Sequence, residues 1–350
     1  MKEEVKKLWN LCFGDDEAFT ELYFSKRYSD EVNLAIEENG NIISALQLLP
    51  YPMTFCGEII STGYISGACT HPDHREKGAM KRLLLKSFAR MLNSEVPLTT
   101  LIPAEDWLFS YYSKMGYTPI FEYSNKTFRV EELKPSSEFT VSKYTSQSFL
   151  EEEVYSFFDE KMKKRPYCIQ HSYDDFLIIM DDLKLGNGDL LIAKSKGEIK
   201  GLLFCYVKDN TLHVPELFFE DNSVRDTLLF NAAEQFQVKD ISCIIPPNDE
   251  MGNILGMARI IDAEKLLKIY AIHHPELEVS FNISDESIEK NNAFYSIKSG
   301  KLEIAEINKD FNSFSIQELT QGLMGYKTEL LPKELQIFER QKPYMSLMLN

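Results

Sequence analysis

Thr70-His-Pro-Asp-His-Arg-Glu-Lys-Gly-Ala-Met-Lys-Arg-Leu-Leu84 is the stretch whose reading decides the fold. Before it, residues 59–69 are branched and small and read as a strand. After it, Ala79, Leu83, Leu84, Phe88 and Leu92 recur at helical spacing. Between the two lies a short turn holding Arg75 and Gly78. Backbone N–H groups at such a helix start have no intrahelical partners, and the helix dipole adds about half a positive charge there. Gly78 lacks a Cβ, so an anion can approach the backbone closely. Lys77, Lys81 and Arg82 add cations to the same turn. The segment suits a pyrophosphate; it also suits an ordinary strand-to-helix connection with a solvated basic face.

Working outward, helical spacing marks residues 5–12 and 17–27. Residues 32–36 and 42–49 read as a hairpin around Glu38-Asn39-Gly40-Asn41, with a further short strand at 53–55. Residues 98–102 read as a strand, 107–114 as a helix and 118–130 as a strand. This order implies an α/β domain built on a mixed sheet with helices on both faces. A fainter copy follows: a hairpin at 190–194 and 201–207, a strand at 211–219, a helix at 224–236 and a strand at 241–245. Pro246-Pro247 then stands where Pro103 stood, as an internal repeat would have it. From residue 251 the texture changes to a short helix at 263–270 and strands at 277–283, 293–298 and 301–307. Ser315-Ile-Gln-Glu318 is a capping box opening a helix toward Met324. The apolar tail Tyr344-Met-Ser-Leu-Met-Leu349 should be docked rather than left in water.

The 350 residues exceed one small core, and 38 Lys and Arg against 54 Asp and Glu give a net charge of −16. Such a surface repels phosphate backbones and anionic membranes, which argues against nucleic-acid and membrane partners. Six scattered cysteines without a CxxC read as buried thiols in a reducing compartment. No stretch approaches the roughly 20 apolar residues of a membrane span, so a cytoplasmic location is expected. There is no G-x-x-x-x-G-K-[ST] and no G-x-G-x-x-G. His71-x-x-His74 is interrupted by Pro72 and has no third ligand nearby, so it reads as a pair of turn histidines rather than a metal site.

Arg75-x-x-Gly78-x-Met80 ahead of an apolar helix resembles the coenzyme-A pyrophosphate loop of GNAT-family N-acetyltransferases, Gln/Arg-x-x-Gly-x-Gly/Ala. Met80 departs from the small sixth residue, and a larger apolar residue there resembles the enhanced-intracellular-survival (Eis) branch. Tyr112-Ser-Lys-Met-Gly116-Tyr117 is similar to the family signature Tyr-x-x-x-Gly-Phe/Tyr. The resemblance implies tandem GNAT-like domains followed by a small sterol-carrier-like α+β domain. Residues 1–132 would be catalytic and residues 133–250 a degenerate second copy. Residues 251–350 would be sterol-carrier-protein-like, with the tail reaching the active site. It also implies a homo-oligomer.

The same resemblance implies acetyl-CoA as cosubstrate and no metal. Pantetheine would pair along Ala68, Cys69 and Thr70. The pyrophosphate would rest on the turn of Arg75, Glu76, Lys77, Gly78, Ala79, Met80 and Lys81. Ala104 and Glu105 would give a second coenzyme contact. Tyr112 would protonate the leaving thiolate, a phenol of pKa about 10 serving a thiol of about 8.5; Tyr111 reads as the core-facing tyrosine of the pair. Residues 62–70 contain no Asp or Glu, so that strand supplies no base. The resemblance offers the terminal carboxylate at Asn350 as base or orienting group, with Glu105 as its rival. In the second copy Glu220-Asp221-Asn222-Ser223 replaces the Arg-x-x-Gly turn, so no second coenzyme site is expected. The implied reaction is acetyl transfer to a primary amine of a cationic small molecule or peptide, of polyamine, aminoglycoside or lysine type. Two alternatives stand beside it: an apolar-ligand or lipid carrier on a non-catalytic scaffold, and aminoacyl transfer as in peptidoglycan-bridge enzymes.

Overall fold

The computed structural model describes residues 1–145, 148–248 and 252–349. Two compact units divide them, one of residues 1–121 and 254–343, the other of residues 122–253 and 344–349. The chain opens in the first unit with α1 (Lys2–Phe13), α2 (Glu17–Lys26), β1 (Asn33–Glu38), β2 (Asn41–Phe55) and β3 (Glu58–Thr70). It continues through α3 (Ala79–Asn93), β4 (Leu98–Leu101), α4 (Asp106–Ser113) and β5 (Thr118–Arg129), which leads into the second unit. That unit holds β6 (Thr140–Lys143), α5 (Ser148–Lys163), α6 (Tyr173–Leu185), β7 (Asp189–Ser195) and β8 (Glu198–Lys208). It is completed by β9 (Thr211–Phe219), α7 (Asn222–Phe236) and β10 (Asp240–Ile245). The chain returns to the first unit with β11 (Asn253–Ile260), α8 (Ala263–His273), β12 (Val279–Ser284), β13 (Ala293–Lys298), β14 (Lys301–Ala305), β15 (Ser313–Ser315) and α9 (Ile316–Leu323).

In the first unit the β1–β2 hairpin turns at Asn39 and Gly40, both with positive φ (52° and 78°), the conformation a two-residue hairpin turn requires. The short strand expected at 53–55 is instead the end of β2, which runs unbroken through Pro50 and Pro52. Register with β1 stops at Gln47, and one further bond joins the Leu48 N–H to the Val32 carbonyl. Beyond that point β2 is an edge strand, where a proline's missing N–H costs no ladder bond. Separate cores cover the two faces of this sheet. Val5, Leu8, Trp9, Tyr23 and Phe24 pack with Ala45 and Cys69. Leu83, Leu84 and Phe88 of α3 pack with Ile43, Leu46 and Ile65.

β11, which the sequence reading did not find, pairs antiparallel with β4 (Met257 with Leu101, Ile260 with Leu98). Met257, Ile261 and Ile288 thereby join the core of α3. The remaining strands form a four-stranded sheet in the order β14-β13-β12-β15, and the Ser315–Glu318 capping box forms as expected at the start of α9.

The second unit repeats the arrangement. Antiparallel β7–β8 and β8–β9 pairs lead to a parallel β9–β10 pair, with α7 between its strands in sequence. Helices α5 and α6 were not read from sequence. Their signals are present: Val154, Phe158 and Met162 at four-residue spacing, and a Ser172–Asp175 capping box ahead of Phe176, Ile179, Met180 and Leu183. The apolar tail is docked here, as expected. Tyr344 donates its N–H to the Tyr167 carbonyl (3.0 Å) and accepts from the Ile169 N–H (3.1 Å), and Tyr344, Met345 and Leu349 are buried. Among the described residues no helix is long and apolar enough to cross a membrane.

Candidate active site

β3 and β4 run parallel, but only Thr62, Gly63 and Tyr64 of β3 pair with Leu98, Thr99 and Thr100. β3 then continues to Thr70, held on its other side by β2 through Ala45–Cys69 and Ser44–Thr70. Past Tyr64 the β4 side of β3 is therefore open, through Ala68 and Cys69 to Thr70. The Thr70 carbonyl is already used: Arg75 Nε donates to it at 3.2 Å, and Cys12 Sγ lies 3.5 Å away.

The turn after β3 is built by its own side chains. His71 Nδ1 accepts from the Asp73 N–H at 3.2 Å, and His74 N–H donates to the His71 carbonyl at 2.9 Å, closing a short 3₁₀ turn. His74 Nδ1 also lies 3.5 Å from Glu38. The two histidines thus shape the turn. Among the described residues no group of His, Cys, Asp and Glu is arranged to hold a metal.

Glu76 (φ 61°) and Gly78 (φ 77°) both lie in the left-handed region and reverse the chain into α3. Gly78 caps α3 with no side-chain bond. Among the described residues the N–H groups of Glu76, Lys77, Gly78, Ala79, Met80 and Lys81 have no acceptor. A Cβ built on Gly78 would meet nothing within 4 Å, so the space beside Gly78 itself is open. Lys77 Nζ donates to the Asp73 carbonyl (2.7 Å), Arg82 lies 3.5 Å from Glu38, and Lys81 is exposed. Met80, the departure from the small-residue pattern, packs its side chain against the α3 core.

Ala68, Ala79, Met80 and Tyr112 all pack on that one core, so the strand end, the helix start and the tyrosine are brought together. Tyr112, on α4, is 6% exposed, and burial raises its phenol above the ordinary value. Its hydroxyl makes no hydrogen bond among the described residues. The expectation that Tyr111 is the core-facing member is overturned. Tyr111 is half-buried and Tyr112 is in the core, because the α4 stripe that meets α3 and Tyr117 carries Tyr112. Ala104 and Glu105 stand exposed at the entrance to α4, and Glu105 accepts a hydrogen bond from Trp107 Nε1. Asn350 lies outside the described residues.

Sequence reasoning missed Cys12. Its thiol is lowered to about 6, chiefly through a hydrogen bond from the Cys69 thiol and then through Arg75, while Cys69 is raised well above its ordinary value. Nothing in the spacing of residues 12, 69 and 75 signals this. Cys12 should therefore be mostly thiolate at pH 7, against a few per cent for an ordinary thiol. Iodoacetamide labelling followed by mass spectrometry across pH 5–9 should show Cys12 reacting first, with a midpoint near 6 that rises in Arg75→Ala. A midpoint near 9 would refute it.

Residues 2–120 match the family described as Acetyltransferase (GNAT) domain. The chain thus carries a GNAT acetyltransferase domain and is an acyltransferase of the GNAT type. The fold extends over the whole chain in solved structures. A probable N-acyltransferase from Enterococcus faecalis is 16% identical, with 99% of this chain and 96% of that one covered at a TM-score of 0.80. A GCN5-related N-acetyltransferase from Anabaena variabilis is 15% identical (98% and 96% covered, TM-score 0.76). Eis1 from Mycobacterium abscessus is 11% identical (98% and 96% covered, TM-score 0.77). A comparison with curated protein sequences gives no match.

Proposed function

We propose that the protein transfers the acetyl group of acetyl-CoA to a primary amine of a cationic acceptor. The observation that carries this reading is the contrast between two equivalent helix starts. α3 begins at Gly78 with its N–H groups unpartnered and open, whereas α7 begins at Asp221, whose carboxylate accepts from the Ser223 (2.8 Å) and Val224 (3.0 Å) N–H groups. The first can receive a pyrophosphate, and the second carries its own anion. Pantetheine would lie along the open side of β3 at Ala68, adding main-chain hydrogen bonds as an extra strand would.

In this reaction the amine nitrogen attacks the thioester carbon, the C–N bond forms and the C–S bond breaks. The acceptor's ammonium proton leaves to solvent or to a carboxylate such as Glu105 before attack. The Tyr112 hydroxyl then donates its proton to the departing thiolate, and the proton the nitrogen sheds as the amide forms returns through solvent to the Tyr112 oxygen. Holding both reactants in line supplies much of the rate. The net charge of −16 favours cationic acceptors by long-range attraction. The sterol-carrier-like reading of residues 251–350 belongs to this proposal, supported by the small β14-β13-β12-β15 sheet with α8 and α9.

Calorimetric titration with acetyl-CoA tests it. The wild type should bind. Gly78→Ala, which bears only the backbone cost of a left-handed φ (about 1–2 kcal/mol), should bind more weakly. Gly78→Glu should not bind, because its carboxylate would occupy the anion position. No heat from the wild type, or equal binding by Gly78→Glu, refutes the reading.

A further inference from the structure

The second unit opens a cleft of about 410 Å³ where β9 and β10 part company after the Val214–Cys243 pair. This is the position in the repeat that corresponds to the β3–β4 gap of the first unit. Its volume falls in the range of small-ligand sites. The walls are largely apolar, with Phe128, Phe218, Phe219, Ile244, Ile245 and Pro246.

Its charge is opposite to that of the molecule. Lys126 from β5, Lys161 from α5, Arg165 just beyond α5 and Arg225 from α7 all line the cleft, in a chain of net charge −16. Glu216 is the carboxylate of the lining, and it is fully engaged. Arg165 grips it with two bonds (2.7 and 2.9 Å), and Ser346 Oγ (2.6 Å) and the Leu217 N–H (3.0 Å) also donate to it. Arg225 is likewise satisfied, by Asp226 at 2.7 and 2.9 Å and by Asn222. Lys126 and Lys161 form no ion pair among the described residues. Each stands over a ring instead, Lys126 at 5.2 Å from Phe128 and Lys161 at 4.9 Å from Phe157. The cleft is therefore lined by two ammonium groups without an ion pair among the described residues, and one of them, Lys126, stands over a ring of its apolar wall.

We infer that this cleft binds a small organic monoanion with an apolar body, a medium-chain or aromatic carboxylate, whose charged end lies between Lys126 and Lys161. A nucleoside diphosphate does not suit it. The first-turn N–H groups of α7 that would hold a pyrophosphate are taken by Asp221, and Glu220 adds a second carboxylate beside them. The two GNAT-like copies have thus diverged in how they hold an anion: the first keeps an open helix start, the second a cationic cleft with apolar walls.

The test is calorimetry on the full chain with octanoate, octanol and octylamine, in the absence of coenzyme. Octanoate should bind at least about tenfold more tightly than octanol, with octylamine not binding, since charge-assisted contacts provide the difference. Lys126→Ala/Lys161→Ala should weaken octanoate by about tenfold or more. Lys161→Glu should abolish binding, while circular dichroism stays that of the wild type because neither side chain is in the core. Gly78→Glu should bind octanoate normally, and the lysine variants should bind acetyl-CoA normally, so this inference and the acetyltransferase reading fail separately. Absent octanoate binding, octanol or octylamine binding as well as octanoate, or unchanged affinity in the lysine variants would each overturn it.

Discussion

Replacing Arg259 with methionine is expected to lower the unfolding free energy by about 3–5 kcal/mol, the usual cost of breaking one side of a buried ion pair. Arg259 and Asp285 have side chains 0% and 1% exposed and meet at 2.6 Å. The guanidinium also donates from Nε to the Met115 carbonyl and from Nη1 to the Ile260 carbonyl, both at 2.7 Å, and lies 4.4 Å over the Phe88 ring. Burial lowers its proton affinity, and the Asp285 carboxylate opposes that fall. Without Arg259, Asp285 keeps the Ser287 (2.9 Å) and Ile288 (3.2 Å) N–H groups and the Asn291 amide (2.8 Å), but no cation.

If the lone carboxylate is the source of the loss, adding Asp285→Asn to Arg259→Met should recover a large part of it in chemical denaturation. A double variant no more stable than the single would refute the electrostatic account. The same arginine explains Gly116, the glycine of the Tyr-x-x-x-Gly-Tyr signature. Gly116 has φ 85°, and a Cβ there would stand 2.7 Å from Arg259 Nε. Met115 and Tyr117 both donate N–H bonds to the Tyr112 carbonyl (2.8 and 3.2 Å), so the arginine also steadies the end of the helix that carries the proposed acid.

Tyr112→Phe should lower kcat by about 10²-fold or more, the lower range for loss of a general acid. The variant removes one oxygen from a side chain that otherwise fills the α3 core. That oxygen has no hydrogen-bond partner among the described residues, so the melting temperature should hardly change. Because burial raises the phenol, it stays protonated through neutral pH. No limb of the pH–rate profile below about pH 10 should therefore disappear in the variant. An unchanged kcat removes Tyr112 from the mechanism. A fall in kcat matched by a fall in melting temperature would reassign it to packing.

The hairpin at Asn39-Gly40, the β3–turn–α3 segment and the Ser315 capping box were legible because each is local. A turn residue, a change of period or a cap shows itself within a few positions. The turn from Arg75 to Gly78 was legible for the same reason, since strand end, turn and helix start are contiguous. Long apolar strands were harder. Residues 42–49 and 53–55, read as two strands, are one strand, and the open edge of β2 accommodates Pro50 and Pro52 between them.

By itself, then, the amino-acid order determined the GNAT-type fold, its faint second copy and the acidic Asp221 that ends any likeness to a coenzyme cradle there. Only the tertiary structure decided which tyrosine of the Tyr111–Tyr112 pair is buried, that β11 closes on β4, that Arg259 is sealed against Asp285, and that Cys12 meets Cys69 and Arg75. Each of these joins residues whose partners are chosen by packing across long stretches of chain, or, for the tyrosines, by which face of α4 the core covers. Contacts of that kind leave no periodic mark in a single sequence, because what selects them is the burial of one surface against another.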